Sequence, residues 1–195
     1  MTAFSDPVPS SPSDAAVVFE CSVCRLDPDV EVYVAQAIGS ERMAASLRIE
    51  PVRGASRRAI ERLGAAWLPD LDGALVQFFA DDDPAGHAAI LALLARACAQ
   101  RSQERDEAAW IGRCPTALRP TLRALGWRDW PPAGEAAVPS DPMVLLLDDP
   151  ALLVASSSPL AHALTGRPPR PERAAEILGE LEIRAPDPAR YRNAG

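Results

Sequence analysis

The chain has 195 residues and a formal net charge of −7; 48% of its residues are apolar but only 5% are aromatic. This length suits one domain with a core built mainly from Ala, Leu and Val. The negative charge argues against general nucleic-acid binding, which needs a basic face. No apolar run approaches the roughly 20 residues of a membrane-spanning helix.

The N-terminal segment 1–14 is polar and rich in Pro and Ser, a composition typical of a disordered tail. It contains no secretory apolar region, so we expect a cytoplasmic protein with reduced cysteines. Cys21 and Cys24 have the spacing of a zinc-binding pair, but the sequence lacks a second such pair, and we expect no metal site. The expected organisation is a tail (1–14), one domain (15–165) and a C-terminal linker with a short helix (166–195).

Short apolar or alternating segments predict strands in the first half of the chain. Ala15–Cys21 is an apolar run, and Glu31–Gln36 and Met43–Ile49 flank a turn as a hairpin would. Ala55–Leu63 has helical spacing of its apolar residues. Ala74–Ala80 (ALVQFFA) carries no charge, which predicts a buried central strand.

A long helix is predicted after the central strand, from Pro84 to about Gln103. Asp83 can cap it, and Pro is favoured at the first helical position. Its inner stripe is predicted to be Ile90, Leu94, Ala97 and Cys98. The remaining predicted elements are the strand Ala108–Gly112, a helix from about Pro120 to Gly126, the strand Met143–Leu147 and a short helix Ala174–Leu181.

Helix, strand, helix, Gly-aromatic, strand is the order of the C-terminal half of the GNAT-like N-acyltransferase fold. Within that fold, roughly residues 30–150 resemble the acyl-homoserine-lactone synthases. Ser46–Pro51 (SLRIEP) resembles their Ser-Leu-Arg-Leu-x-Pro strand, Trp67–Gly73 the loop before their central strand, and Leu122–Trp127 their Arg-x-x-Gly-Trp segment. The resemblance implies an α/β, GNAT-like domain: a mixed, twisted sheet flanked by helices.

The resemblance also implies substrates rather than a bound cofactor. The donor would be an acyl-CoA or acyl-carrier-protein thioester, entering between Ala74–Ala80 and Ala108–Gly112, and the acceptor a small amine. Backbone N–H groups of the central strand would face the thioester carbonyl. The residues implied to contact the acyl donor are Gln77, Phe78, Phe79, Ala80, Gly86 and Trp110.

Three charged residues are candidates for catalysis. Arg48 stands at the family's characteristic arginine and is expected to hold an acceptor carboxylate, while Glu50 or Asp81 could take the proton of the amine. A basic cluster could dock an acidic carrier protein, although a solvated helix face is the alternative. Its members are Arg53, Arg57, Arg58 and Arg62.

One departure from the family pattern and one from the signature of the wider GNAT fold keep a second function open. The family's central strand carries Glu-x-Ser-Arg, whereas this chain has Leu75, Val76, Gln77 and Phe78. Where a glycine-rich loop would meet a pyrophosphate, the chain has DDDPAG over residues 81–86, whose carboxylates favour a carrier-protein donor over coenzyme A. The second function is a catalytically degenerate GNAT-like module that binds an acyl ligand or a protein partner.

Overall fold

A computed structural model of the chain describes residues 18–27, 29–53, 58, 72–81, 83–130, 142–155, 158, 160–164 and 166–184. The predicted tail and, apart from Arg58, the helix predicted over Ala55–Leu63 lie outside these residues. The strands are β1 (Phe19–Arg25), β2 (Glu31–Ala37), β3 (Met43–Pro51), β4 (Gly73–Ala80), β5 (Ala109–Arg113), β6 (Arg128–Asp129) and β7 (Met143–Leu146). The helices are α1 (Pro84–Glu104), α2 (Arg119–Ala124), α3 (Pro150–Ala155), α4 (Leu160–Ala163) and α5 (Pro171–Arg184), with a 3₁₀ turn at Thr116–Leu118.

The seven strands form one mixed sheet in the order β1-β2-β3-β4-β5-β7-β6. Strands β1 to β4 are antiparallel neighbours, β4 and β5 are parallel, and β7 returns antiparallel between β5 and β6. The helix α1 makes the crossover that a parallel pair requires. This order of strands, with one parallel pair at its centre, confirms the GNAT-like α/β fold class.

Most predicted elements agree with the structure to within one or two residues. The first strand is displaced from Ala15–Cys21 to Phe19–Arg25, because its pairing with β2 continues down to Arg25 opposite Glu31. Pro120 lies in the first turn of α2, where no helical hydrogen bond is lost. The last helix begins at Pro171 and is longer than predicted, and β6, with two residues, was not predicted.

Each face of the sheet carries its own apolar core. On one face α1 packs its predicted stripe, fully buried, against β2 to β5 and β7. On the other face α5 places Ala174 and Ile177 against Leu75, Ile111 and the inward residues of β7. We refer to these as the α1 face and the α5 face.

A buried ion network joins strands and helix at one end of the sheet. Arg101, near the C-terminus of α1, donates to Glu31 of β2 at 2.7 Å and, through Nε, to Glu107 at 3.0 Å. Tyr33 and Trp110 donate to the same two carboxylates at 2.9 and 2.8 Å. Burial would raise the pKa of Glu31, but hydrogen bonds from Arg101 and Tyr33 outweigh it and hold the pKa below its ordinary value.

Replacing Arg101 with Met should lower the free energy of unfolding by about 3–5 kcal/mol at neutral pH, because two buried carboxylates lose their partner. Chemical denaturation measures the change. The control Arg96→Met, on the exposed side of α1, removes one hydrogen bond to the Cys21 carbonyl and should cost under about 1 kcal/mol.

The pH dependence of this loss provides a second check. A carboxylate whose pKa is lowered on folding contributes stability above its ordinary pKa of 4.5 and loses that contribution as the pH falls through the lowered value. The difference between wild type and Arg101→Met should therefore shrink in acid. An equal difference at all pH values would show that the ion network is not its source.

Candidate functional site

Strand β4 is longer than its parallel neighbour. Its pairing with β5 runs from Gly73 opposite Ala109 to Gln77 opposite Arg113 and then stops. Its pairing with β3 continues to Ala80. Among the described residues, Phe78–Ala80 therefore have a strand on one side only. We call the opening on their other side the β4–β5 gap.

Backbone polar groups of β4 are directed into this gap. The Val52 N–H donates to the Gly73 carbonyl at 2.9 Å. The backbone N–H and C=O groups of Gly73 and of every second residue after it therefore point toward β3. The intervening residues, including Phe78 and Ala80, present their N–H and C=O groups to the opposite side. The last pairing on that side, Gln77 with Arg113, uses the Phe78 N–H as donor to the Arg113 carbonyl, so the groups left facing the gap are the Phe78 carbonyl and the N–H and C=O of Ala80.

A polar cluster lies on the α5 face where the gap begins. Arg48 of β3 and Gln77 of β4 are in register, and the Arg48 side chain donates to Glu50 at 3.0 Å. Glu50 is 5% exposed. Arg48 Nε, Glu50 Oε1 and Gln77 Nε2 are buried without a hydrogen-bond partner among the described residues. Buried polar atoms usually have partners, and these two donors and one acceptor lie on neighbouring positions of β3 and β4.

The third candidate for catalysis, Asp81, lies apart from the other two. It follows β4 four residues after Gln77, which places it about 13 Å along the strand direction, and it pairs with Arg42 at 2.9 Å near the surface. The structure thus brings Arg48, Glu50 and Gln77 together and leaves Asp81 outside their cluster.

The start of α1 is closed by its own capping residue. The Gly86 N–H donates to Asp83 Oδ1 at 2.6 Å, and the His87 N–H donates to the Asp83 carbonyl at 3.0 Å. A Cβ on Gly86 would stand 2.2 Å from the Asp81 carbonyl oxygen, so only glycine fits. The Gly86 amide, predicted to contact the donor, is committed to Asp83 in this structure.

The aromatic residues of the predicted donor site are placed differently from one another. Phe78 is buried on the α1 face, next to Gly112 and edge-on to Trp127. Phe79 points to the other face and is 52% exposed. Trp110 is fully buried in the core, in the paired part of β5, and binds Glu107.

The basic cluster that was predicted to dock a carrier protein is only partly described. Arg53 follows β3 and lies 3.7 Å from Asp72, which precedes β4. The gap is at the other end of β4, about 23 Å away along the strand. Arg58 is exposed, and Arg57 and Arg62 lie outside the described residues. Arg53 is therefore not beside the gap.

The end of the sheet opposite the gap carries a charged groove of about 410 Å³ that the sequence did not indicate. Its charged groups are joined by ion pairs, among them Arg173 with Asp72 at 3.1 Å and with Asp106 at 3.3 Å. In the described part of the chain, no group of three or more His, Cys, Asp or Glu could hold a metal ion. No helix among those residues is long and apolar enough to cross a membrane.

Comparison with solved structures finds acyl-homoserine lactone synthases. The CoA-dependent synthase BjaI, with SAM and isopentyl-CoA, aligns over 78% of this chain and 75% of its own at 18% identity and a TM-score of 0.42; with MTA, the TM-score is 0.40. The CoA-dependent synthase MesI aligns over 76% of this chain and 69% of its own at 14% identity and a TM-score of 0.33. The chain thus has a distant structural resemblance to these enzymes, while its fold class is established by the strand order described above. No protein-family profile and no curated protein matches the chain.

Gly112 of β5 is required by the close approach of β4 at the start of the gap. A Cβ at this position would stand 2.7 Å from the Val76 carbonyl oxygen and 2.7 Å from the Phe78 ring. We expect Gly112→Ala to lower the free energy of unfolding by about 1–3 kcal/mol through overpacking, as measured by chemical denaturation.

Gly179→Ala is the matched control for this substitution. Gly179 lies inside α5, and nothing stands within 4 Å of a Cβ built on it. The same change there should stabilise the protein by about 0.5–1 kcal/mol through helix propensity. Equal effects at the two positions would contradict the close approach at Gly112.

Proposed function

We propose that the chain is an N-acyltransferase that moves an acyl group from a thioester donor to a small amine, as a relative of the acyl-homoserine lactone synthases. The observation that carries this proposal is the β4–β5 gap, into which the Phe78 carbonyl and the backbone groups of Ala80 are directed. A pantetheine arm is an extended chain with amide groups, so it can take the place of the missing strand. The donor would be bound largely by backbone hydrogen bonds, which explains how β4 can serve this role without charged side chains.

The same backbone groups would place the reacting carbonyl. A thioester carbonyl that accepts from the Ala80 N–H is polarised, and the negative charge that develops on its oxygen during attack is stabilised. This donor is held in place by the pairing of β4 with β3. It therefore needs no rearrangement as the reaction proceeds.

The polar cluster supplies the functions that an amine acceptor requires. The Arg48 and Gln77 donors can hold a carboxylate of the acceptor, and the buried Glu50 Oε1 can accept a proton from its amine. The amine nitrogen attacks the thioester carbonyl, the C–N bond forms, and the C–S bond breaks. Glu50 takes the proton from nitrogen and can return it to the leaving thiolate, which departs as the thiol. Glu50 is the base in this proposal; Asp81, which directly follows Ala80 but pairs with Arg42, is the alternative.

The start of α1 bears on the kind of donor. A coenzyme A pyrophosphate would need free backbone amides at this helix start. The Gly86 amide already donates to Asp83, and the carboxylates of Asp81 and Asp83 add negative charge. A donor that carries only pantetheine, such as an acyl carrier protein, avoids this repulsion. We therefore propose a donor that is recognised through its pantetheine arm. A carrier protein would approach the end of the sheet that contains the gap, and not the opposite end, where Arg53 lies.

A binding module without catalysis is the second candidate. It is favoured by the uncharged residues Leu75 and Val76, at the position of the family's Glu-x-Ser-Arg, and by the closed start of α1. The two candidates differ in their product. Incubation with acyl-pantetheine and a pool of amino acids, followed by mass spectrometry, would detect new amides from an acyltransferase, whereas a binding module would retain the donor unchanged.

The polar cluster can be tested on whichever acceptor this assay identifies. Glu50→Gln should lower kcat by about 10²- to 10⁴-fold, the usual contribution of a general base. Arg48→Ala should raise the acceptor KM by about 10- to 100-fold, because a charge-assisted hydrogen bond is lost. Steady-state kinetics measures both.

Two exposed residues provide matched controls. Glu20→Gln on β1 and Arg96→Ala on α1 make comparable changes outside the cluster and should leave both kinetic constants within about twofold. Unchanged kinetics in Glu50→Gln and Arg48→Ala would remove the cluster from the mechanism.

The choice of donor yields a separate prediction. If the pantetheine arm supplies most of the recognition, acyl-pantetheine and acyl-coenzyme A should have kcat/KM values within about threefold of each other, since less than about 1 kcal/mol would come from the nucleotide. Competition by free adenosine 3′,5′-bisphosphate should be undetectable at the same concentrations. A large preference for acyl-coenzyme A would show that the nucleotide is bound after all.

A further inference from the structure

Strand β1 is the longer of the two edge strands in the described part of the sheet. The other edge strand, β6, has two residues, whereas β1 has seven. A long edge is a template for pairing with another chain unless proline, lysine or a bulge interrupts it. Strand β1 (FECSVCR) contains neither proline nor lysine, and its pairing with β2 continues without a bulge. This edge is therefore built in a way that permits strand addition.

Alternate backbone groups of β1 point away from the sheet. The Ile38 N–H donates to the Val18 carbonyl at 3.0 Å, so Val18 and every second residue after it bond toward β2. The odd-numbered residues from 19 to 25 present their N–H and C=O groups outward. Among these groups, the Cys21 carbonyl accepts from the Arg96 side chain at 2.6 Å, and a carbonyl oxygen can accept a second hydrogen bond. The outward row can thus pair with another strand.

Two exposed apolar side chains lie at opposite ends of this edge. Val18 is 61% exposed and Leu26 is 64% exposed, and Ser22 lies midway between them in the sequence. The Leu26 N–H donates to the Val30 carbonyl at 3.1 Å, so Leu26 continues the pairing beyond β1. If two copies pair antiparallel about an axis through Ser22, Val18 of each copy lies opposite Leu26 of the other, on the same face of the sheet. Both exposed side chains then gain an apolar partner, which favours association.

The charges of β1 favour the same register. An axis through Glu20 or through Arg25 would place like charges directly opposite each other, which is unfavourable. With the axis through Ser22, Glu20 lies opposite the uncharged Cys24 of the second copy. Arg25 lies opposite Phe19 of the second copy, whose ring can contact the guanidinium. A shift of the axis by one residue would separate the two apolar ends.

The contact area is large enough for a dimer of moderate affinity. Paired residues 18–26 span about 30 Å. Helix α1 is joined to β1 through Arg25, which donates to Glu104 at 2.6 Å, and a sheet with a helix packed on it is about 20 Å thick. The interface would therefore bury roughly 600 Å² on each copy, or about 1,200 Å² in total, the lower limit of standard specific interfaces. A dissociation constant in the micromolar range is expected at this size.

We propose that the protein forms a dimer in which the β1 strands of two copies pair antiparallel about a two-fold axis through Ser22. The two seven-stranded sheets then become one continuous sheet. The β4–β5 gap lies at the Val18 end of the strands, because β1 to β4 alternate in direction. The axis therefore directs the two gaps toward opposite ends of the joined sheet and leaves both open. This inference does not depend on acyl transfer.

Sedimentation velocity of the full chain at about 100 μM, well above the expected dissociation constant, tests the association. The wild type should sediment as a dimer. Ser22 is exposed, and Ser22→Lys and Ser22→Glu each place two like charges opposite each other at the axis. Each substitution should weaken dimerisation by about 10-fold or more. An equimolar mixture of the two variants should recover the wild-type affinity to within about threefold, because opposite charges then meet.

Matched substitutions away from β1 are the controls. Thr116→Lys makes a comparable change at another exposed hydroxyl residue and should leave the dissociation constant within about twofold. Val18→Ser should weaken the dimer by about 10-fold or more, because an apolar contact is lost at each end of the paired strands. Val154→Ser, at a residue of α3 that is 66% exposed, should have an effect of less than about twofold. Circular dichroism identifies which variants are folded, and Val18→Ser tests the interface independently of the charge variants.

The other outcomes would overturn the proposal. A monomeric wild type would show that this edge does not pair with itself, whether the residues before Val18 or another protein cover it. A dimer that persists in the folded Ser22 and Val18 variants would place the interface elsewhere. Failure of the mixed Ser22 variants to associate would exclude an axis at this residue. Equal weakening by Thr116→Lys or Val154→Ser would show that the effect is not specific to β1.

Discussion

The parallel pairing of β4 with β5 stops at Gln77 and Arg113, while β4 itself continues for three residues beside β3. Pro115, two residues after the end of β5, has no N–H to donate, and the chain turns there into the 3₁₀ segment at Thr116–Leu118. The Phe78 carbonyl and the Ala80 backbone groups that face this side therefore need another partner. The proposed donor site depends on this early end of the pairing.

The opposite end of the sheet is fixed by charge. Arg101 links β2, α1 and the segment that precedes β5 through two buried carboxylates. Nearby, Arg167 and Arg173 from the C-terminal segment bind Asp148 at 3.2 Å each, so the start of α5 is tied to the end of β7. Because these groups are buried and paired, strands β4 and β5 are held together at that end and part only at the other. The gap is thus a preformed feature of the fold, which lowers the conformational cost of accepting a donor.

Local patterns were sufficient to predict most elements. The alternation in Glu31–Gln36, the uncharged run Ala74–Ala80 and the Asp-Pro start of α1 each depend on neighbours in sequence, and the structure contains all three elements. The resemblance of SLRIEP to a family strand directed attention to Arg48, which the structure places beside Glu50 and Gln77. These two partners lie on the same and the adjacent strand, within reach of register arguments.

Features that depend on contacts between distant parts of the chain could not be predicted from the sequence. Arg101 and Glu31 are 70 residues apart, and only the packing of α1 on β2 brings them together. The distance between Glu50 and Asp81 follows from the register of β3 with β4, and Arg53 lies far from the gap because β3 and β4 are antiparallel. The ring of Phe78 reaches β5 only because residue 112 is glycine, a contact between two strands separated by all of α1.

The structure of the protein with a non-hydrolysable butyryl-pantetheine analogue tests the central claim most directly. The account predicts that the arm lies between β4 and β5, with its acyl carbonyl oxygen about 3 Å from the backbone nitrogen of Ala80. An arm bound elsewhere, such as in the charged groove at the opposite end, would contradict it. So would a complex in which β4 and β5 pair beyond Gln77 and leave no gap.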